Sequence, residues 1–210
     1  MDDLRVLFFG DSFVAGVGDL HGQGWVGRTV AAAFAAGRPL TAYNLGVRRE
    51  TSVEVAVRWR FEATPRLLAG ADCRVVFAVG ANDTTLEGGA VRVAPDRSCM
   101  ALDKMLDQAA ALGLPCAVAG PPPAGDAAQQ ARVVTLSEAF AGVCAARAVP
   151  YWPVAPALLA SRTWIAETAA GDGAHPAAGG YDLLAQALLD GGLLAWLGAP
   201  AGAPRVTPAE

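Results

Sequence analysis

Short apolar runs alternate along this chain with longer stretches in which apolar and polar positions mix. Residues 5–9, 40–45, 75–79, 116–119 and 149–154 form the short runs, each bounded by Gly, Pro or Asn. Their unbroken apolar character predicts strands covered on both faces, as in a parallel sheet. Residues 25–36, 52–68, 96–112 and 126–148 lie between them and are long enough for crossover helices. A final helix is predicted over 181–197. Thr51-Ser52-Val53-Glu54 reads as a capping box that opens the second helix. The β-α repeat predicts a doubly wound α/β fold: three α/β/α layers around a roughly five-stranded parallel sheet in the flavodoxin-like order 2-1-3-4-5. Residues 1–198 read as one domain, and 199–210 as a Pro/Ala-rich tail.

Composition narrows the classes that this fold can serve. With 210 residues, 53% of them hydrophobic and a net charge of −4, the chain can bury a full core and is not disordered. Sixteen basic against twenty acidic side chains leave no excess to attract nucleic-acid phosphates. No apolar stretch has the length of a membrane span, so stable insertion is not expected. The acidic N-terminus runs straight into a strand, unlike a signal peptide, and a cytoplasmic location is expected. Cys73, Cys99, Cys116 and Cys144 lack metal-ligand spacing and are expected to be buried, reduced thiols. A homo-oligomer is compatible with all of this. Any histidine chemistry must use His21 or His175.

Ligands in doubly wound sheets bind beyond the carboxyl ends of the strands, near the switch in strand order. Gly10-Asp11-Ser12 follows the first strand, Asn44-Leu45-Gly46 the second and Gly80-Ala81-Asn82-Asp83 the third. The predicted order makes these loops neighbours. Near the far end, a Gly-rich loop carries Asp172-Gly173-Ala174-His175-Pro176. Each block alone is weak. Together, in this order and at strand ends, they resemble the SGNH hydrolases, the GDSL-type lipases and esterases, over nearly the whole chain.

The resemblance implies a carboxylic ester hydrolase acting on a small-molecule acyl ester without a cofactor or metal. It implies Ser12 as nucleophile, His175 as base and Asp172 as the acid that orients it. It also implies an oxyanion hole made by the main-chain N–H groups of Ser12 and Gly46 and the side-chain amide of Asn82. The residue types suit these roles. A serine hydroxyl needs a base, and an imidazole titrates near working pH. Asp172, three residues earlier, can hold the tautomer of His175. Read singly, Ser12 is a helix N-cap, Asp172 a turn residue and His175 a surface loop histidine. Thioester, lysophospholipid and sugar O-acetyl substrates share the same tetrahedral intermediate and stay open. The lack of a long insertion favours small or accessible acyl groups.

Other residues have bland and sharp readings side by side. Phe13 stands where the GDSL pattern has leucine. Arg49, beside Arg48, stands where the second block often has a further glycine. These two cations have Glu50 and Glu54 as expected partners, or one of them contacts a polar or anionic part of the substrate. Trp152 and Trp164 are candidate substrate contacts at an acyl pocket, or ordinary core. Gly120-Pro121-Pro122-Pro123 is expected to wall the cleft, and His21 to be an exposed loop residue. Asp11 and Asp83 are assigned to bracing loops, which disfavours a metal site built with Asp172 and His175. Gly22-Gln23-Gly24-Trp25-Val26-Gly27 fits a dinucleotide-binding pattern but lies too far past the first strand. A non-catalytic module for acylated ligands is the remaining alternative, and such a module would normally lack the serine or the histidine.

Overall fold

A computed structural model of the chain describes residues 3–198. Its strands are β1 (Leu4–Gly10), β2 (Thr41–Gly46), β3 (Asp72–Ala78), the hairpin pair β4 (Leu86–Glu87) and β5 (Ala90–Val91), β6 (Cys116–Ala119) and β7 (Tyr151–Trp152). Five of them form a parallel sheet in the order β2-β1-β3-β6-β7, which is the predicted 2-1-3-4-5 order once the hairpin is set aside. The helices are α1 (Ser12–Ala15), α2 (Gly24–Ala35), α3 (Ser52–Ala63), α4 (Pro95–Ala111), α5 (Ala127–Ala146), α6 (Ala155–Leu159), α7 (Arg162–Ala170), α8 (Ala178–Asp190) and α9 (Leu193–Trp196).

Period-two geometry explains the unbroken apolar runs. On β1, Val6 and Phe8 enter a core with Trp25, Tyr181, Leu184 and Leu188, on the face covered by α2 and α8. Leu7 and Phe9 enter the opposite core with Trp59, Phe77, Leu102, Met105 and Phe140, under α3, α4 and α5. The register sets Gly10 beside both Gly46 and Ala78, Ala78 beside Ala119, and Ala119 beside Trp152. All five strands therefore end on one row, and their loops share one edge.

Proline and glycine account for most departures from the predicted elements. Pro150 and Pro153, which lack N–H donors, flank the two residues of β7, where six had been expected. The second helix ends at Ala63, and Pro65 draws the chain into a 3-10 turn, Thr64–Arg66. Gly191 and Gly192 break the last helix into α8 and α9. The capping box is present, with both Thr51 and Glu54 side chains engaged. Cys73 and Cys144 are buried, whereas Cys99 and Cys116 are only half-buried; all four are unpaired. No helix among the described residues is long and apolar enough to cross a membrane. The tail assigned to 199–210 lies outside the described residues.

Candidate active site

The turn from β1 into α1 allows no side chain at Gly10, where a Cβ would overlap the Ala78 carbonyl. Asp11 caps α1 by accepting from the Phe13 N–H at 2.9 Å, which sets Ser12 at the first helical position. The N–H of Ser12 has no acceptor among the described residues, as expected at a helix start. Across the sheet edge, Asp172 organises the loop before α8. One of its oxygens accepts from the main-chain N–H groups of Ala174 and His175, at 3.0 and 2.9 Å. Its other oxygen lies 2.7 Å from Nδ1 of His175. Nε2 of His175 lies 2.7 Å from Oγ of Ser12. This network fits the tautomer in which Nδ1 donates to Asp172 and Nε2 accepts from Ser12. The Phe13 ring packs against the imidazole, with centroids 4.9 Å apart.

Electrostatics separate the two carboxyls nearest Ser12. Burial raises the pKa of Asp172, but the N–H groups and ring of His175 and the N–H of Ala174 outweigh it and hold the group at about 2. Burial pushes Asp11 up to about 7, and nearby Asp83 adds to the shift. Asp83 is itself fully buried and accepts from both the N–H and the hydroxyl of Ser52. Asn82 opens a 3-10 turn after β3, and its amide nitrogen donates to Asp11 Oδ2 at 2.9 Å and to the Glu50 carbonyl at 3.1 Å.

Ser12, Asn82, Asp172, His175, Arg48 and Arg49 all line one cleft of about 550 Å³. Gly46 does not. Its N–H donates to the Asn44 side chain at 3.1 Å. A Cβ there would lie 2.7 Å from the Asp11 carbonyl, so the glycine serves the close approach of β2 to α1. Arg49 does line the cleft. It adopts a left-handed backbone with φ of 69°, and its N–H has no acceptor among the described residues. Arg92 fixes this turn by donating to the Arg49 carbonyl at 2.7 Å, and Glu87 of the hairpin pairs with the Arg49 guanidinium at 3.2 Å. The expected partners Glu50 and Glu54 pair instead with Arg58 and Arg92.

Trp152 and Trp164 are buried in the core and do not line the cleft. Trp152 packs edge-on against Trp196, while Trp164 stacks behind Phe13 and donates to the Pro123 carbonyl. The three prolines lie buried behind the wall, which is made by Ala124, Gly125, Asp126, Gln129 and Gln130. His21 is an exposed loop residue. The glycine pattern at 22–27 starts α2, where Gly24 packs against Gly16. Sequence reasoning missed Gln129, Ile165 and Thr168 on the cleft walls, because helix residues without ionisable groups carry no signal of their own.

Residues 8–183 match the GDSL-like lipase/acylhydrolase family. The chain belongs to that family. It is a carboxylic ester hydrolase by class. A lipase/acylhydrolase from Enterococcus faecalis superimposes with a TM-score of 0.73 at 23% identity, covering 90% of this chain and 94% of that one. An α/β hydrolase from the metagenome of Lake Arreo, Spain, gives 0.73 at 23% identity, with 93% and 96% covered. An acetylxylan esterase from Geobacillus stearothermophilus gives 0.74 at 18% identity, with 89% and 93% covered. At these identities the likeness is one of fold. No curated protein matches the chain.

Proposed function

We propose that this GDSL-family protein hydrolyses small acyl esters through a covalent acyl-enzyme on Ser12. The observation that carries the reading is the unbroken chain of contacts from Ser12 Oγ through both ring nitrogens of His175 to Asp172, each at 2.7 Å. Oγ attacks the ester carbonyl as Nε2 takes its proton, and the imidazolium returns that proton to the departing alcohol oxygen. Water then attacks the acyl group, gives a proton to Nε2, and Ser12 Oγ leaves with that proton. Asp172 stays ionised throughout and stabilises the imidazolium.

Charge that develops on the carbonyl oxygen needs preorganised donors. The Ser12 N–H and the Asn82 amide suit this role. The Arg49 N–H takes the place first assigned to Gly46. No metal or cofactor enters any step. Polar groups at the rim, among them Arg48, Asp126 and Gln130, favour a polar alcohol portion over a long apolar chain. Four unpaired cysteines fit a reducing compartment, which supports a cytoplasmic location.

Treatment with an organophosphate, followed by peptide mass spectrometry, should find one adduct, on the peptide that contains Ser12. Ser12→Ala should abolish both labelling and hydrolysis of an activated ester. Full hydrolysis by Ser12→Ala would end this reading, and an unlabelled Ser12 would favour a binding module for acylated ligands. A panel of acyl esters, acyl thioesters, lysophospholipids and acetylated sugars would then rank substrates.

A further inference from the structure

An oxyanion donor is worth only as much as the precision of its aim, so the groups that hold Asn82 matter alongside Asn82 itself. The amide nitrogen of Asn82 carries two hydrogens, and each has an acceptor. Asp11 Oδ2 lies at 2.9 Å and the Glu50 carbonyl at 3.1 Å. The two acceptors differ in rigidity. Asp11 is 2% exposed and its other oxygen is fastened by the Phe13 N–H. Glu50 is half-buried and directly follows Arg49, which lines the same cleft.

We propose that Asp11 is the positioning residue of the oxyanion hole: it pins one hydrogen of the Asn82 amide while the other transfers its hydrogen bond from the Glu50 carbonyl to the substrate oxygen. The proposal rests on the acyl-transfer reading above. Above about pH 7, where Asp11 has lost its proton, its carboxylate accepts and never donates, so it admits the nitrogen end of the amide and turns the oxygen end away. The second hydrogen then trades a neutral carbonyl for an oxygen that gains charge only as the tetrahedral intermediate forms. That exchange strengthens binding in the transition state more than in the ground state.

Asp11→Asn separates this role from the capping of α1. Its carboxamide oxygen can still accept from the Phe13 N–H, but its NH2 group confronts the NH2 group of Asn82. Steady-state kinetics on one activated ester at pH 8.5 would compare wild type, Asp11→Asn, Asn82→Ala and the double variant, with folding checked by circular dichroism and Ser12 by organophosphate labelling. Asp11→Asn should lose roughly 10- to 100-fold in kcat with KM within about threefold. In the Asn82→Ala background the same change should add no more than about twofold, because the group being aimed is gone. Wild-type kcat in Asp11→Asn, or losses that multiply in the double variant, overturn the proposal when Ser12 still labels. If wild-type Ser12 takes no label, the acyl-transfer reading falls first and the role of Asp11 falls with it. One measurement needs no variant: the side-chain amide protons of Asn82, followed by NMR before and after phosphonylation of Ser12. One proton resonance should move strongly and its partner hold still; two unmoved resonances overturn the proposal.

Discussion

Asp11 and Asp172 are carboxyl groups on either side of Ser12, and their surroundings drive them in opposite directions, to about 7 and about 2. Asp172 is therefore ionised at every working pH, which the orienting role proposed for it requires. Asp11 has a different consequence, for stability. Between the ordinary carboxyl range and pH 7 the unfolded chain has lost this proton while the folded protein keeps it. The folded state then binds more protons, so stability falls as pH rises through that window. At about 1.4 kcal/mol for each tenfold change in proton affinity, burial of Asp11 costs on the order of 4 kcal/mol above pH 7. Urea unfolding of wild type and Asp11→Asn between pH 4 and 8 should show the variant gaining relative stability as pH rises. Parallel curves would mean that Asp11 ionises normally. Ser12, Asn82, Asp172 and His175 were singled out by the family resemblance of their blocks taken together, each block at a strand end or in the Gly-rich loop, and not by any residue type alone. Which main-chain N–H would face an oxyanion was not legible, since it depends on the Asn44 side chain that accepts from Gly46 and on the φ of Arg49, neither of which a residue name reveals.

Between β2 and α1 the main chains approach too closely for any side chain at Gly46. A Cβ there would meet the Ala15 nitrogen and lie 2.7 Å from the Asp11 carbonyl, all of it backbone with no rotamer to yield. Gly46→Ala must therefore displace α1, and Ser12 moves with it. The expected outcome is a loss of about 2–3 kcal/mol in stability together with a large fall in kcat, read by thermal unfolding and ester kinetics. Alanine keeps its N–H, so a variant with normal stability and activity would show that the packing argument is wrong. Elements of this kind differ in how far they can be read in advance. The sheet strands and the crossover helices α2 to α5 were legible from periodicity. The hairpin at 86–91, with two residues per strand, and the short helices α1, α6 and α7 were not, because each is shorter than the roughly 11–18-residue window over which a helical period can be read. Yet this hairpin supplies Glu87, and Arg92 just beyond it supplies the donor that holds the Arg49 turn.

Across the whole molecule, the sheet order brings Ser12 and His175 together although 163 residues separate them. Alignment of the strand ends sets the address, but it does not fix the distance between α1 and the loop before α8. A cross-brace behind the cleft does that. The Asp19 side chain is fully buried and accepts from the N–H groups of His21, Gln23 and Gly24 as well as from Arg28 at 2.5 Å. Arg28 also donates to the Ala178 carbonyl at 3.3 Å and pairs with Asp182, both on α8. The Tyr181 hydroxyl donates to the Val17 carbonyl at 2.7 Å, tying α8 to the segment just past α1. Burial alone would raise the pKa of Asp19, but Arg28 and the main-chain N–H groups hold it at about 2. Its ion pair thus contributes stability above the ordinary carboxyl range, and that contribution is lost as pH falls toward 2. Arg28→Met strands a buried carboxylate and should cost about 3–5 kcal/mol near neutral pH, with kcat falling more than KM rises as His175 loses its support. Protonation of the stranded carboxyl relieves the penalty, so the stability gap to wild type should narrow by pH 3. Adding Asp19→Asn should recover part of the loss at pH 7 by removing the charge. Denaturant unfolding of wild type and both variants at the two pH values tests the brace. A gap of equal size at pH 7 and pH 3 would show that Arg28 acts through packing of its stem rather than through the charge of Asp19.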